Sequence, residues 1–335
     1  MRILGIETSC DETSAAVLAD GFDILGSIVL SQDEIHAPYG GVVPELASRQ
    51  HIESIIYVIE ECLSRAGLSL RDMDAYAVTQ GPGLIGSLLV GLSVAKGLAY
   101  CFDKPLIPVD HLEAHVESAF IENRDIPFPV LALLVSGGHT SIILLKKKLI
   151  FEHIGRTRDD AAGEALDKIA KFLDLDYPGG PVIEKLATQG TPKAFPFAIP
   201  HMTDGSLDFS FSGLKTAALR HIKKNGISKN HPKFFDLLAS FQHAIIRALL
   251  SNMSQSIQRL KPRSLILCGG VAKNAALRKE FQKIARSFQL PAFIPSPEFC
   301  TDNAVMVAAL AFAKIEQQKP GPLDLSLNAY PRKIG

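Results

Sequence analysis

A strand–loop–strand pattern that occurs twice constrains the fold of this chain more than any other feature. The first copy, ILGIETSCDETSAAVLADG, has two apolar segments around a polar turn, and the second, VLALLVSGGHTSIILLKKK, begins roughly 130 residues later. A third apolar strand with small residues after it, SLILCGGVAKNAALRKEF, leads into a helix instead. Because helical segments follow each hairpin, the pattern predicts an α/β protein with a duplicated domain.

Composition sets the class of protein and excludes several kinds of site. The 335 residues are 47% hydrophobic and 21% charged, which is typical of a well-packed chain with two lobes. Lys+Arg and Asp+Glu are equal at 35 each, so a nucleic-acid partner would need local basic patches or another subunit. The five cysteines are widely spaced without a CxxC pair, which favours a reducing compartment over a disulfide or zinc-knuckle protein.

Two features bear on cellular location. The N-terminus, MRILGIETSC, runs straight into a strand pattern without the apolar core of a signal peptide. The stretch from Ala75 to Ala95 is uncharged, but Gly81-Pro82-Gly83 interrupts it. A strand, a tight turn and a buried helix account for this stretch better than a membrane span, so we expect no membrane association.

Small-residue loops after strands indicate a ligand. Ser136-Gly137-Gly138 and Gly269-Gly270 each follow an apolar strand, where glycine lets backbone N–H groups approach a phosphate. Two such loops in a duplicated chain resemble the architecture of actin, hexokinase and Hsp70. No GxxxxGK[ST] motif is present, and the first hairpin loop carries Asp11 and Glu12, acids that could hold a cation or orient a nucleophile.

His111 and His115 lie four residues apart in VDHLEAHVESAF, so on a helix they share one face and could bind one metal. A zinc-peptidase helix needs a glutamate directly after the first histidine, but residue 112 is Leu. Glu113 is turned roughly 200° from His111, which makes it a poor water-activating base. Alternatively, both histidines only form hydrogen bonds near a helix start capped by Asp110, and spacing leaves both interpretations open.

A series of motifs in one order resembles a known family over nearly the whole chain, from Met1 to Ala313. The motifs are ETSCDETS, HAPYGGVVPELASRQH, GPGL, HLEAH, SGGHT, GEALDKIAK, YPGGP, FSFSGLKTA, GGVAKN and CTDNAVMVA. They are similar to those of the tRNA N6-adenosine threonylcarbamoyltransferases (TsaD), once mislabelled as glycoprotein endopeptidases. Val135 stands where the archaeal and eukaryotic branch has Tyr, which suggests the bacterial type.

The resemblance implies a two-lobed, actin-like ATPase (ASKHA) fold with a ligand cleft between the lobes. We expect lobe I at residues 1–118 and lobe II at 119–335, with a C-terminal helix at 302–317 that packs back on lobe I. The implied activity is metal-assisted transfer of the threonylcarbamoyl group from threonylcarbamoyl-AMP to N6 of adenosine 37 in tRNAs that read codons beginning with adenine. A metallopeptidase and an actin-fold ATPase or kinase are the alternatives.

The resemblance also implies site residues. His111 and His115 would bind one divalent metal, Fe(2+) or Zn(2+), with Asp302 completing the set from the other lobe. Proton acceptors for the amine would be Asp11, Glu12 or His139, whereas Cys10 is better explained as a buried small residue than as a nucleophile. The expected substrate-binding residues are Leu134, Val135, Ser136, Gly137, Gly138, Asp167, Gly180, Glu184 and Asn274.

Expected partners follow from the same resemblance. They are tRNA, threonylcarbamoyl-AMP, a paralogous actin-fold subunit (TsaB-like) and a small ATPase (TsaE-like), in the cytoplasm. The basic segment at 220–233, RHIKKNGISKNHPK, could contact the tRNA backbone or simply be solvated. Lys215 could reach the substrate, although we favour a surface position at a helix start.

Overall fold

The computed structural model describes residues 1–200, 202–318 and 324–331 of the chain. They divide into two compact units, one of residues 1–125 with the described residues from Pro295 onward, the other of residues 126–294. The strands are β1 Arg2–Glu7, β2 Glu12–Ala19, β3 Asp23–Ser31, β4 Ala75–Gly81, β5 Leu106–Asp110, β6 Val130–Val135, β7 Thr140–Lys147, β8 Ile150–Arg156, β9 Ser264–Cys268 and β10 Ala292–Phe293. The helices are α1 Asp33–His36, α2 Pro44–Ala66, α3 Ile85–Phe102, α4 His111–Glu122, α5 Ala162–Phe172, α6 Gly179–Ala187, α7 Ser212–Asn225, α8 Phe234–Leu260, α9 Ala275–Ser287 and α10 Ala304–Gln317.

The two sheets have the same connectivity. The first runs β3-β2-β1-β4-β5 and the second β8-β7-β6-β9-β10. In each, the first three strands form an antiparallel meander, and the fourth and fifth add in parallel beside the first. The predicted α/β class, the actin-like fold and the duplication are therefore confirmed.

The first unit encloses its core between the sheet and the helices on its two faces. All but the first residue of β1 are buried, as expected for a central strand covered on both sides. Leu4 and Ile6 pack with Val58 of α2 and Tyr76 of β4 in one hydrophobic cluster. The uncharged stretch that begins at Ala75 forms β4, a turn and α3, as predicted, but α3 is not the buried helix that was expected, since only 33% of its most apolar window is buried.

Helix α10 belongs to the first unit because it packs closely against β1. A Cβ atom added to Gly5 would lie 2.6 Å from the carbonyl oxygen of Ala304 and 2.9 Å from the amide nitrogen of Ala308. Only glycine permits this approach, which places the residues just before α10 beside the end of β1.

The observed division differs from the expected one at residues 118 and 119. A boundary there would cut through α4, which continues to Glu122 in the first unit. The expected second lobe also included the C-terminal residues, but the described residues from Pro295 onward belong to the first unit.

Two helices among the described residues, α3 and α8, have the length and apolarity needed to cross a membrane. Most of α8 is buried inside the second unit, with 72% of its most apolar window inaccessible, which is typical of a core helix.

Candidate metal centre and adenylate-binding residues

Helix α4 brings His111 and His115 side by side. Asp110 caps the helix, since its Oδ1 accepts hydrogen bonds from the backbone N–H groups of Leu112 at 3.0 Å and Glu113 at 3.2 Å. The two imidazole centroids lie 4.6 Å apart, and both side chains are buried. Asp110 is therefore the residue that caps the helix, and both histidine side chains are directed to other groups.

Asp302 completes a cluster with the two histidines. Its Oδ1 lies 3.0 Å from Nε2 of His115 and 3.7 Å from Nε2 of His111. One potential ligand atom from each residue falls within 4.8 Å of the others. The expectation that Asp302 comes from the other lobe is wrong, because it lies just before α10 in the first unit.

The donor set of this cluster fits a divalent transition metal. Two imidazole nitrogens and one carboxylate oxygen suit iron or zinc and leave coordination positions for substrate or water. The cluster also carries negative charge that favours a cation. Burial alone would lower the pKa of His111, but Asp302 and Glu7 raise it to about 9, which shows that the surroundings of this imidazole stabilise positive charge.

Glu7 and Ser9 both lie beside Nδ1 of His111, and sequence reasoning did not identify either residue. Nδ1 of His111 lies 3.3 Å from Oε2 of Glu7 and 3.2 Å from Oγ of Ser9. Burial would raise the pKa of the Glu7 carboxyl, but the charge and hydrogen bond of His111 lower it, so Glu7 is ionised. An acid that ends an otherwise apolar strand, RILGIE, was the signal available in the sequence.

The turn after β1 carries two interacting acids. The carboxyl groups of Asp11 and Glu12 hydrogen-bond to each other, and burial raises the pKa of both, Glu12 by far the more. The two carboxyl groups therefore titrate together, and protonation is favoured more at Glu12 than at Asp11. Burial and Asp11 also raise the pKa of the Cys10 thiol well above its usual range, which is unfavourable for a nucleophile.

The second unit holds the loop Ser136-Gly137-Gly138 between β6 and β7. Ser136 and His139 close the loop, since the Ser136 N–H donates to the His139 carbonyl at 2.8 Å and the His139 N–H donates to Oγ of Ser136 at 3.0 Å. The Gly137 carbonyl accepts from the Glu164 N–H at the start of α5. A Cβ atom on Gly137 or Gly138 would meet nothing within 4 Å, so both glycines offer open backbone to a ligand.

Asp167, Gly180, Glu184 and Asn274 organise helix starts in the second unit. Oδ1 of Asp167 accepts from the N–H groups of Gly179 at 2.9 Å and Gly180 at 3.1 Å, at the N-terminus of α6. Glu184 and Asn274 both cap α9, through the N–H groups of Ala275 at 2.7 Å and Leu277 at 3.0 Å. Gln242, which the sequence did not suggest, accepts a hydrogen bond from Nδ2 of Asn274.

We expected a surface position for Lys215, but the structure holds this side chain in an ion pair. Its Nζ pairs with Asp160, which also binds Lys168 at 2.6 Å. The side chain is only 21% exposed, so the ion pair fixes it at the start of α7.

Known proteins of one kind match nearly the whole chain. The model of the family described as "TsaD: tRNA N6-adenosine threonylcarbamoyltransferase" matches residues 23–309. The tRNA N6-adenosine threonylcarbamoyltransferase of Clostridium perfringens is 47% identical over 329 residues, which cover 98% of this chain and 96% of that protein. The protein of the same name from Geotalea uraniireducens is 50% identical over 308 residues, 92% of this chain and 90% of that protein.

Among solved structures, HypF of T. kodakarensis superposes with a TM-score of 0.63 at 16% identity, over 94% of this chain and 48% of that one. At this identity the similarity shows the fold alone. The family match and the two close, nearly full-length relatives show more: this chain belongs to the tRNA N6-adenosine threonylcarbamoyltransferase (TsaD) family.

Proposed function

We propose that this chain transfers the threonylcarbamoyl group from threonylcarbamoyl-AMP to N6 of adenosine 37 in tRNAs that read codons beginning with adenine, and releases AMP. The observation that carries the proposal is the buried cluster of His111, His115 and Asp302 in a chain of this family. The three residues would hold one divalent metal, Fe(2+) or Zn(2+). When bound, the metal supplies a Lewis acid for an oxygen of the intermediate.

The reaction needs positioning and charge stabilisation rather than a covalent nucleophile. The intermediate is an activated mixed anhydride, so the adenine amine forms the new C–N bond at the carbamoyl carbon while the bond to the phosphate oxygen breaks. AMP leaves with that electron pair, and the amine loses one proton. We assign acceptance of this proton to the Asp11–Glu12 pair, whose joint titration and proximity to the charge of Asp302 support the assignment over His139.

The second unit would bind the adenylate. The open backbone of Gly137 and Gly138, flanked by Leu134, Val135 and Ser136, is suited to the phosphate. Asp167, Gly180, Glu184 and Asn274 lie at the starts of α6 and α9, where polar groups can meet a nucleoside. Oε1 of Glu184 accepts a hydrogen bond from the Ala275 N–H at the start of α9, so we assign binding of a ribose hydroxyl to Oε2 of Glu184.

The tRNA would be held by local basic residues. The side chains in the segment 220–233 that carry positive charge are all exposed, namely Arg220, Lys223, Lys224, Lys229 and Lys233. We also propose a cytoplasmic location and cooperation with a paralogous actin-fold subunit (TsaB-like) and a small ATPase (TsaE-like), as membership of this family implies.

A peptidase is not favoured, because Glu113 is not among the residues that converge on the candidate metal site. The deciding experiment incubates purified protein with unmodified tRNA and synthetic threonylcarbamoyl-AMP, with and without the two partner proteins, and identifies nucleosides by mass spectrometry. Threonylcarbamoyladenosine and an equal amount of AMP are expected. Their absence in the complete mixture would overturn the proposal.

A further inference from the structure

Glu7 is a fully buried carboxylate that the transfer mechanism does not use directly. It ends β1, and none of its side chain is accessible to solvent. A buried charge is costly unless it is paired and hydrogen-bonded, so the contacts of Glu7 show what stabilises it.

Those contacts fix where the protons lie. The Ser9 N–H donates to Oε1 at 2.6 Å, and the Thr79 hydroxyl is placed 2.5 Å from Oε2, so it donates to that oxygen. An ionised carboxylate only accepts hydrogen bonds, so a hydrogen bond between Oε2 and Nδ1 of His111, 3.3 Å away, requires the hydrogen on Nδ1, and Oγ of Ser9, 3.2 Å from the same nitrogen, then acts as a second acceptor. In the neutral imidazole, Nε2 is then unprotonated, and Nε2 is the atom on the side of Asp302.

We propose that Glu7 is a positioning residue for the metal. It holds His111 in the tautomer and orientation in which Nε2 is a ligand, and it makes that nitrogen a stronger electron-pair donor to the metal. Carboxylate–histidine–metal arrangements act in this way, and loss of such a carboxylate typically lowers metal affinity 10- to 100-fold. The inference rests on the proposed metal site and names a residue beyond its three ligands.

The two histidines differ in this respect. Nδ1 of His115 is buried and has no hydrogen-bond partner among the residues that the structure describes. His115 therefore has a carboxylate only at Nε2, where Asp302 lies 3.0 Å away, whereas His111 has a second carboxylate at Nδ1. Loss of the Glu7 charge should then act on metal binding through His111.

Replacement of Glu7 by Gln creates a conflict of donors that predicts the direction of the effect. If the amide oxygen faces His111, the amide NH₂ group meets the Ser9 N–H, donor against donor. If the NH₂ group faces His111 instead, Nδ1 must accept and the ring hydrogen moves to Nε2, where it blocks the metal. Either arrangement weakens binding without removal of a ligand.

The test measures metal binding by the purified protein alone, in competition with a chelator, with Zn(2+) and with Co(2+) as a spectroscopic probe. Glu7→Gln should bind both ions 10- to 100-fold more weakly and change the visible absorption of bound Co(2+). Glu7→Asp keeps the charge at a shorter reach and should lie between Glu7→Gln and the parent. Thr79→Val removes a neighbouring hydrogen bond to the same carboxylate, and Glu113→Gln removes a charge from α4 that is not among the candidate ligands, so both should stay within about twofold of the parent.

The comparison with His111→Ala separates this inference from the site itself. If His111→Ala loses metal while folded Glu7→Gln keeps parental affinity and spectrum, the role of Glu7 is refuted and the metal site stands. If Glu7→Gln fails to fold, Glu7→Asp decides: weaker binding than the parent supports the proposal, and parental affinity and spectrum refute it. If His111→Ala binds metal as the parent does, the site itself is wrong and the inference falls with it.

Discussion

His111 and His115 differ in chemistry although one helical turn separates them. His111 contacts two carboxylates, Glu7 on one side and Asp302 on the other, while the carboxylate beside His115 is that of Asp302. The candidate site thus combines one histidine with a carboxylate at each end of its ring and one with a carboxylate at Nε2 only. Each makes a different prediction.

His115→Ala should lose the metal and nearly all transfer activity, because it removes one of three protein ligands. In chelator-treated samples the thermal midpoint should fall by only a few degrees, since both proteins are then metal-free. Elemental analysis and threonylcarbamoyl transfer check the first part, and thermal unfolding checks the second. Full metal content and full activity in this variant would refute the site.

The metal-free protein should be less stable at alkaline pH. Burial lowers the pKa of His111, but Asp302 and Glu7 outweigh it and raise it to about 9, against an ordinary value of 6.5. A group whose pKa is raised on folding stabilises fully below its unfolded pKa, and the contribution is lost as pH rises through the folded one. The free energy of unfolding should therefore fall between about pH 6.5 and 9, by at most about 3 kcal/mol.

Urea unfolding of metal-free protein across this range measures that loss. His111→Asn provides the control, because its unfolding free energy should show a smaller slope over the same interval. Equal slopes in the two proteins would assign the pH dependence to other groups.

At the scale of elements, the contact of α10 with β1 determines the position of Asp302. Asn303 caps α10 by accepting from the Met306 N–H at 3.0 Å, and Ser14 of β2 accepts from the Ala304 N–H at 2.9 Å. The start of α10 is therefore tied to the first hairpin as well as packed against Gly5. A disturbance of this contact should displace Asp302 and weaken metal binding at the candidate site.

Gly5→Ala should destabilise the protein by about 1–3 kcal/mol, because its Cβ would overlap backbone atoms of α10 that cannot rotate away. It should also weaken metal binding through displacement of Asp302. Chemical denaturation and Co(2+) titration measure the two effects.

Gly97→Ala is the matched control in α3. A Cβ atom there meets nothing within 4 Å, so the substitution should stabilise the helix by about 0.5–1 kcal/mol and leave metal binding unchanged. If Gly5→Ala behaved like Gly97→Ala, the close contact would not position Asp302.

The sequence predicted each hairpin and the histidine pair because these depend on local patterns. The two apolar segments around a polar turn in ILGIETSCDETSAAVLADG predict β1 and β2, and the spacing of His111 and His115 predicts one face of α4. The helix at 302–317 was expected to pack back on lobe I, and α10 does lie in the first unit, but Asp302 just before it was still counted with the other lobe because it is far along the chain from His111 and His115. Glu7 was missed because its role depends on a contact with a residue far along the chain.

For the molecule as a whole, acidic and basic residues are equal in number, so tRNA binding must depend on local basic patches rather than on net charge. The exposed cations of residues 220–233 lie at the end of α7 and in the loop after it. Long-range attraction by net charge is not available, so these cations should carry a measurable share of the salt dependence.

Replacement of Lys223, Lys224 and Lys229 together by Ala should weaken tRNA binding. The slope of log affinity against log salt should become shallower by roughly two to three, because each phosphate that is no longer neutralised keeps about one bound counterion. Filter binding over a range of salt measures the slope, and thermal unfolding serves as the control for intact folding of the second unit, which holds these residues. An unchanged slope would place the tRNA elsewhere.

The position of α10 in the chain has a consequence for synthesis. Residues 126–294 separate most of the first unit from the helix that completes it, so β1 and α4 leave the ribosome long before Asp302 is translated. A nascent chain that stops short of residue 302 has both histidines but lacks the third ligand and the helix that covers β1. The three residues of the candidate metal site can therefore come together only after residue 302 has been translated, and a product that ends before it lacks one of the three.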